Sequence, residues 1–181
     1  MSRNTRATGC PTGIDHPALN KTGQLKGIDM MKERYYFAYG SNLNQAQMLQ
    51  RCPKASPVSR AVLGGWRLYW QGVLTILKDP GAQVHGALWK TTPKCERSLD
   101  RYEGHPHLYR KETTQVVLPT GKRIEAYVYI MNKVGPAVWP SQHYLQSCLW
   151  GAYDWDISLD LLTDSLPGME EFHRERIQIK D

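Results

Sequence analysis

The sequence predicts an α+β fold, a small mixed, mostly antiparallel β-barrel of five to six strands with flanking helices. Three observations lead there. Runs rich in β-branched and aromatic residues crowd the stretch from 34 to 130, and they neighbour one another along the chain. Helical signals are few, three or so, and short.

Residues 1–33 are polar, rich in Gly, Pro, Thr and Asn, and show neither strand nor helix period. Burial would not repay the entropy of ordering them, so they read as a flexible tail ahead of a domain at 34–181. Met30 and Met31 stand directly before "KERYYFAYGSN", so the tail also reads as an upstream-start extension or a leader.

From Arg34 a strand runs through "YYFAY" and stops at Gly40, Ser41 and Asn42. The following "NQAQMLQRCP" has helix formers and no alternation, which predicts a helix from about Asn44 that ends before Pro53. Further strands are expected at 61–69, 73–77, 84–90, 113–118 and 123–130, with "KDPGAQ" and "LPTGK" as turns. Between the third and fourth of these lies "TTPKCERSLDRYEG", with Thr92 as N-cap, Pro93 at the first helical position and Gly104 as the stop. Ser141 caps a helix over 141–152 whose buried face would carry Tyr144, Leu145, Cys148 and Leu149. A short helix at 159–164 completes the series.

Composition narrows the function classes. The formal charge is +6, but half of it lies in residues 1–34 and no dense basic run carries interleaved aromatics, which argues against a nucleic-acid partner. No apolar run approaches the length of a membrane span. Cys10, Cys52, Cys95 and Cys148 lie far apart, without the close pairs of a zinc site or the density of a disulfide scaffold. Reduced thiols and a cytoplasmic location follow, the N-terminus lacking an apolar secretory segment. A cysteine nucleophile would need a histidine partner and a lowered pKa.

Two stretches carry chemistry. A strand leading through Gly-Ser-Asn into a helix offers free backbone N–H groups where the helix dipole favours negative charge, a ready anion seat. An ordinary turn, with Gly40 supplying φ freedom and Ser41 or Asn42 capping, fits the same residues. Glu103, the last side chain before Gly104, would stand at a helix C-terminus, where ionisation of a carboxylate is disfavoured. Asp100, one turn earlier, would push its pKa in the same direction. A proton carrier near neutrality needs that bias, though a solvated surface Glu has the same sequence signature. His105 and His107 resemble a chelating pair, but Pro106 makes a turn of them and no third ligand is evident, so no metal is expected.

These motifs together resemble the gamma-glutamylcyclotransferase family (AIG2-like fold), over roughly residues 34–165. The resemblance rests on "YYFAYGSNL", "VHGALWK", "SLDRYEG", the following "HLY", "AYVYIMN" and "PSQHYLQSCLWGA", in that order. It implies a β-barrel with flanking helices and a cofactor-independent acyl transfer of lyase type. Glu103 would be the catalytic acid/base, Tyr39, Gly40, Ser41, Asn42 and Leu43 would bind substrate largely through their backbone, and Tyr109 and Tyr144 would form the walls. The substrate would be a small γ-glutamyl amino acid or amine, cyclised to 5-oxoproline, and the protein a monomer or homodimer. Tyr102 departs from the Gln of classical eukaryotic members, and "GHPHLY" from their loop, which implies a different leaving-group pocket. A non-catalytic binding module on the same fold is the competing class.

Because residues 1–28 lack apolar periodicity with which to dock, a chain beginning at Met30 is expected to keep the full-length melting temperature and activity. Thermal unfolding of both chains side by side checks this.

Overall fold

The computed structural model describes residues 34–169; the expected tail lies outside the described residues. Five strands, β1 (Arg34–Ala38), β2 (Ser56–Trp70), β3 (Leu74–Thr91), β4 (Tyr109–Val117) and β5 (Arg123–Met131), close into a barrel in the order β1-β3-β2-β4-β5. The pairs are antiparallel except β1 with β5, which meet in parallel at Tyr36 and Tyr127 and shut the barrel. The helices are α1 (Gln45–Arg51), α2 (Pro93–Tyr102), α3 (Gln142–Asp154) and the short α4 (Asp160–Thr163). No described helix is long and apolar enough to cross a membrane.

One expected chain reversal is absent. The stretches 73–77 and 84–90 belong to the single strand β3, and "KDPGAQ" is an irregularity within it. Gly64 pairs with Gln83 and Trp66 with Lys78, so residues 79–82 stand opposite Gly65, which adopts φ +79°. Pro80 cannot donate to a ladder, and the Asp79 carboxylate takes the Gly81 N–H instead (3.2 Å). The turn chemistry is real, but it makes a bulge. It also explains why five strands form where six runs were legible.

The helix signals hold. Asn44, Thr92 and Ser141 each accept an N–H in the first turn, from Gln47, Cys95 and Tyr144. The buried face of α3 is shifted from the expected one: Ser147, Cys148, Gly151 and Ala152 are buried, while Tyr144, Leu145 and Leu149 are only partly so. Small residues face inward there because α3 lies directly on the chain after β1. A Cβ on Gly151 would come within 2.5 Å of the Asn44 nitrogen and of Leu43 Cβ.

The core runs through the barrel and out under the helices. Tyr36, Tyr127 and Tyr129 form a ring cluster at centroid distances of 5.2–5.9 Å. Trp89 packs edge-on against Trp155, whose indole N–H donates to the Leu43 carbonyl (2.8 Å). The β1–β3 seam depends on Gly86, where a Cβ would meet the Ala38 oxygen at 2.3 Å and the Phe37 ring at 2.6 Å. Backbone cannot yield that much without parting the strands. Gly86→Ala is therefore expected to destabilise the domain by roughly 3 kcal/mol, at the upper end of overpacking costs. Gly64→Ala, whose methyl group would meet nothing within 4 Å, should leave the melting temperature nearly unchanged. Thermal or urea denaturation of the two variants provides the comparison.

Candidate functional site

At the end of the barrel where β1 terminates and β4 begins, a cavity of about 270 Å³ opens between the β2–β3 hairpin, the end of α2 and the side of α3. Glu103 is its carboxyl group. The residue is the C-cap of α2, and a Schellman motif holds it there: the Gly104 N–H bonds to Arg101 O (3.3 Å) and the His105 N–H to Asp100 O (2.9 Å). Gly104 takes φ +62°, the left-handed conformation that the motif requires. The terminating glycine thus aims the side chain before it.

Opposite stands a 3-10 turn, Ser41–Leu43, closed by the Leu43 N–H on Gly40 O (2.8 Å) and the Asn44 N–H on Ser41 O (3.2 Å). The first N–H groups of such a turn, those of Ser41 and Asn42, have no carbonyl within it. Asn42 is almost fully buried and is the hub of the site. Its Nδ2 donates to Glu103 Oε1 (2.9 Å) and to the Tyr36 hydroxyl (3.0 Å), and its Oδ1 accepts from Arg51 Nη1 (2.6 Å).

Four tyrosines complete the wall. Tyr39 donates its hydroxyl to Tyr129 O (2.7 Å) and Tyr109 to Leu74 O (3.1 Å), while the Tyr144 oxygen accepts the Leu74 N–H (3.2 Å). Tyr102 lies half exposed at the rim, its ring 3.9 Å beneath the Arg51 guanidinium. Burial above all holds the Tyr36, Tyr39, Tyr109 and Tyr144 phenols well above their ordinary pKa, so they act as neutral hydroxyls.

Burial also raises Glu103, from the ordinary 4.5 to about 7, with Arg51 and the Asn42 hydrogen bond pulling in the opposite direction. One edge of the carboxyl still reaches the cavity. Asp100 does not contribute to the shift as the sequence led one to expect. Burial would raise Asp100 too, but hydrogen bonds from Lys111 Nζ (2.8 Å) and the Tyr129 hydroxyl (2.6 Å) outweigh it and leave the carboxylate lowered. Its charge is spent on Lys111, which also binds Glu96.

The structure brings Tyr39, Gly40, Ser41, Asn42, Glu103, Tyr109 and Tyr144 to one cavity. Leu43 is the exception. Its N–H and C=O are both taken, its side chain is buried, and it does not line the cavity. Gly40 has φ −118°, so it is there not for positive φ but for a close approach: a Cβ would sit 3.0 Å from the Tyr144 hydroxyl. The helix contribution to an anion seat is also corrected, because the α1 N-terminus is already occupied by Asn44 Oδ1 and by Asp154 Oδ2 on the Gln45 N–H (2.8 Å). The N–H groups that remain are those of the 3-10 turn. Sequence reasoning missed Tyr36, Leu74, Tyr129 and above all Arg51, the cation in the last turn of α1; a basic residue at that helix position was its only trace.

The described cysteines and histidines are placed as follows. Burial pushes the Cys52 and Cys148 thiols up to about 12, far from a thiolate at neutral pH. Among the described residues no group of three or more His, Cys, Asp and Glu side chains could hold a metal ion. His105 instead turns Nδ1 toward Tyr109 O (3.2 Å). A larger cleft of about 620 Å³ between the β2–β3 ribbon and α4 contains none of the expected site residues except Leu43.

Comparison with known proteins identifies the family. Residues 36–152 match the family described as "Gamma-glutamyl cyclotransferase, AIG2-like". The chain is 31% identical over 138 residues to the gamma-glutamylcyclotransferase of Homo sapiens, covering 69% of this chain and 73% of that protein, and 32% identical over 138 residues to that of Bos taurus, with the same coverage. A solved structure titled "Gamma-glutamyl cyclotransferase" superposes with a TM-score of 0.66 at 28% identity, covering 71% of this chain and 83% of that one. With its barrel, its Gly-Ser-Asn turn and its helix-ending Glu103 in the matched segment, this chain belongs to the gamma-glutamyl cyclotransferase, AIG2-like family.

Proposed function

We propose that the protein cyclises a small γ-glutamyl amino acid or amine to 5-oxoproline and releases the free amine or amino acid. The observation that carries this reading is a single carboxyl group, Glu103, raised to about 7 at the edge of a small cavity and held by one amide donor. A γ-glutamyl compound supplies its own nucleophile. Its α-nitrogen and γ-carbonyl carbon close a five-membered ring, and intramolecular attack of this kind has a high effective molarity. No enzyme nucleophile is required, in keeping with the raised thiols.

The α-ammonium must lose a proton before its nitrogen can attack. Glu103, raised toward neutrality and so nearer to an α-amino group than an ordinary carboxyl is, is suited to take it. The new C–N bond forms, the carbonyl becomes a tetrahedral oxyanion and the ring nitrogen is left with one excess proton. The old amide C–N bond breaks as Glu103 passes its proton to the leaving nitrogen, and the ionised Glu103 then takes the excess proton from the ring nitrogen and releases it to the freed amine or to water. The Ser41 and Asn42 N–H groups, which no carbonyl of the 3-10 turn uses, support a seat there for the α-carboxylate or the oxyanion. Tyr36, Tyr39 and Tyr109 keep the carboxyl dry. The buried, unpaired thiols of Cys52, Cys95 and Cys148 suit a reducing, cytoplasmic setting.

Release of 5-oxoproline from a panel of γ-glutamyl donors tests the reading, since a non-catalytic relative would yield none. Glu103→Gln keeps the shape but cannot exchange the proton, and should lower turnover by roughly a hundredfold or more while the protein stays folded. The rate of the unmodified chain should rise with pH through about 7 as Glu103 ionises. Stability should move the other way. With a folded-state pKa raised from 4.5 to about 7, the contribution of Glu103 is fully present below 4.5 and is lost as pH rises through 7. Glu103→Gln should therefore be more stable than the parent at pH 8, by on the order of 2 kcal/mol, and nearly equal to it at pH 4. Gly40→Val, which would crowd the Tyr144 hydroxyl at 3.0 Å, should raise KM sharply in a folded protein; unchanged KM would remove the turn from the binding site.

A further inference from the structure

A carboxamide between a cation and an acid has two faces, and which one meets the acid decides what the acid can do. Rotating Asn42 by half a turn would put its Oδ1 against Glu103 and its NH₂ against Arg51. A guanidinium has donors only, so Arg51 tolerates just one of these arrangements. Its Nη1 holds Asn42 Oδ1 at 2.6 Å, and both N–H groups are thereby sent to Tyr36 and Glu103.

Arg51 is itself fixed from three sides. Nη2 donates to Gln47 Oε1 one turn back (2.9 Å), and the guanidinium plane lies 3.9 Å over the Tyr102 ring. Its carbonyl accepts from Ser98 of α2 (2.9 Å), while Gln47 Nε2 donates to Ser147 of α3 (2.9 Å). Three helices thus hold one guanidinium against one amide.

We infer that Arg51 is a positioning residue of the proposed reaction: it locks the Asn42 amide so that a donor, never the carbonyl, faces Glu103. The inference rests on Glu103 being the proton carrier. An unanchored Asn42 could follow the proton, offering NH₂ to the carboxylate and Oδ1 to the carboxylic acid. Such an amide would reward both states of Glu103 and make it reluctant to give the proton up. The anchored amide rewards the carboxylate more than the acid, whose carbonyl oxygen is the weaker acceptor and whose O–H it cannot accept. Besides Arg51 of α1, the titratable groups around Glu103 are Tyr36 and Tyr39 at the end of β1, Tyr109 of β4, Tyr129 of β5, Tyr144 of α3, Tyr102 and the Lys111-paired Asp100 of α2, and His105 beyond it. Arg51 is the cation among those that pull Glu103 downward.

The test is the titration of Glu103 itself, followed by ¹³C NMR of the carboxyl carbon in glutamate-labelled protein, beside the pH profile of kcat/KM for 5-oxoproline release. Arg51→Met keeps a side chain over Tyr102 but removes both charge and donors. It should raise the Glu103 pKa by about one unit or more and displace the acid limb of the profile upward by the same amount. Activity at neutral pH should then fall roughly tenfold and recover at higher pH. Arg51→Lys, which keeps the charge without the planar fork, should fall between the two, and it carries the test if the Met variant does not fold. In an Asn42→Ala background the effect of Arg51→Met should shrink, because only the direct charge remains. An unshifted Glu103, or a shift of equal size with and without Asn42, overturns the positioning role. Absence of 5-oxoproline from every donor with the unmodified chain would instead defeat the cyclotransferase reading, and the titration would still decide what Arg51 does.

Discussion

A carboxyl group withdrawn from water has to be given a donor, and the Asn42 Nδ2 to Glu103 Oε1 hydrogen bond of 2.9 Å is how this protein provides one. The bond joins two elements far apart in sequence, the turn after β1 and the end of α2. Each must therefore be placed independently to within the reach of a hydrogen bond. The Schellman motif at Gly104 fixes the α2 side, and the turn is fixed by α3, which rests on it through Gly151, and by Trp155, which holds the Leu43 carbonyl. The barrel supplies the distance between them, closed at Tyr36 and Tyr127.

The local half of this arrangement was legible in the sequence. Thr92, Pro93 and Gly104 mark the start and stop of α2 through the chemistry of helix ends, and the same logic found the caps at Asn44 and Ser141. The motif order from "YGSN" to "LDRYEG" then pointed to the family. What was not legible depends on contacts between residues distant in the chain. Asp100 is one helical turn from Glu103, and spacing alone makes it the electrostatic neighbour, yet Lys111 and Tyr129 claim it. Leu43 adjoins Asn42 in sequence, yet it is buried and does not line the cavity that Asn42 lines.

Gly40 and the "KDPGAQ" stretch are misread for a related reason. Glycine and proline announce an irregular backbone, but the cause can be a neighbour as readily as a dihedral angle. Gly40 makes room for the Tyr144 hydroxyl, and Pro80 marks a bulge within a ladder that resumes on either side. Arg51 is the clearest case of information absent from local pattern. Nothing in "MLQRCP" distinguishes a guanidinium that turns inward to an amide from one that ends a helix in solvent.

The pairing of Asp100 with Lys111 has a consequence for the settings in which this site keeps its character. With the neighbouring carboxylate neutralised in place, what sets the proton affinity of Glu103 is the exclusion of water and two contacts within the packed site. Exposed charges act through solvent and fade over about 8 Å at physiological ionic strength, whereas burial and short contacts are hardly screened at all. Glu103 is thereby insulated from the salt content of its surroundings.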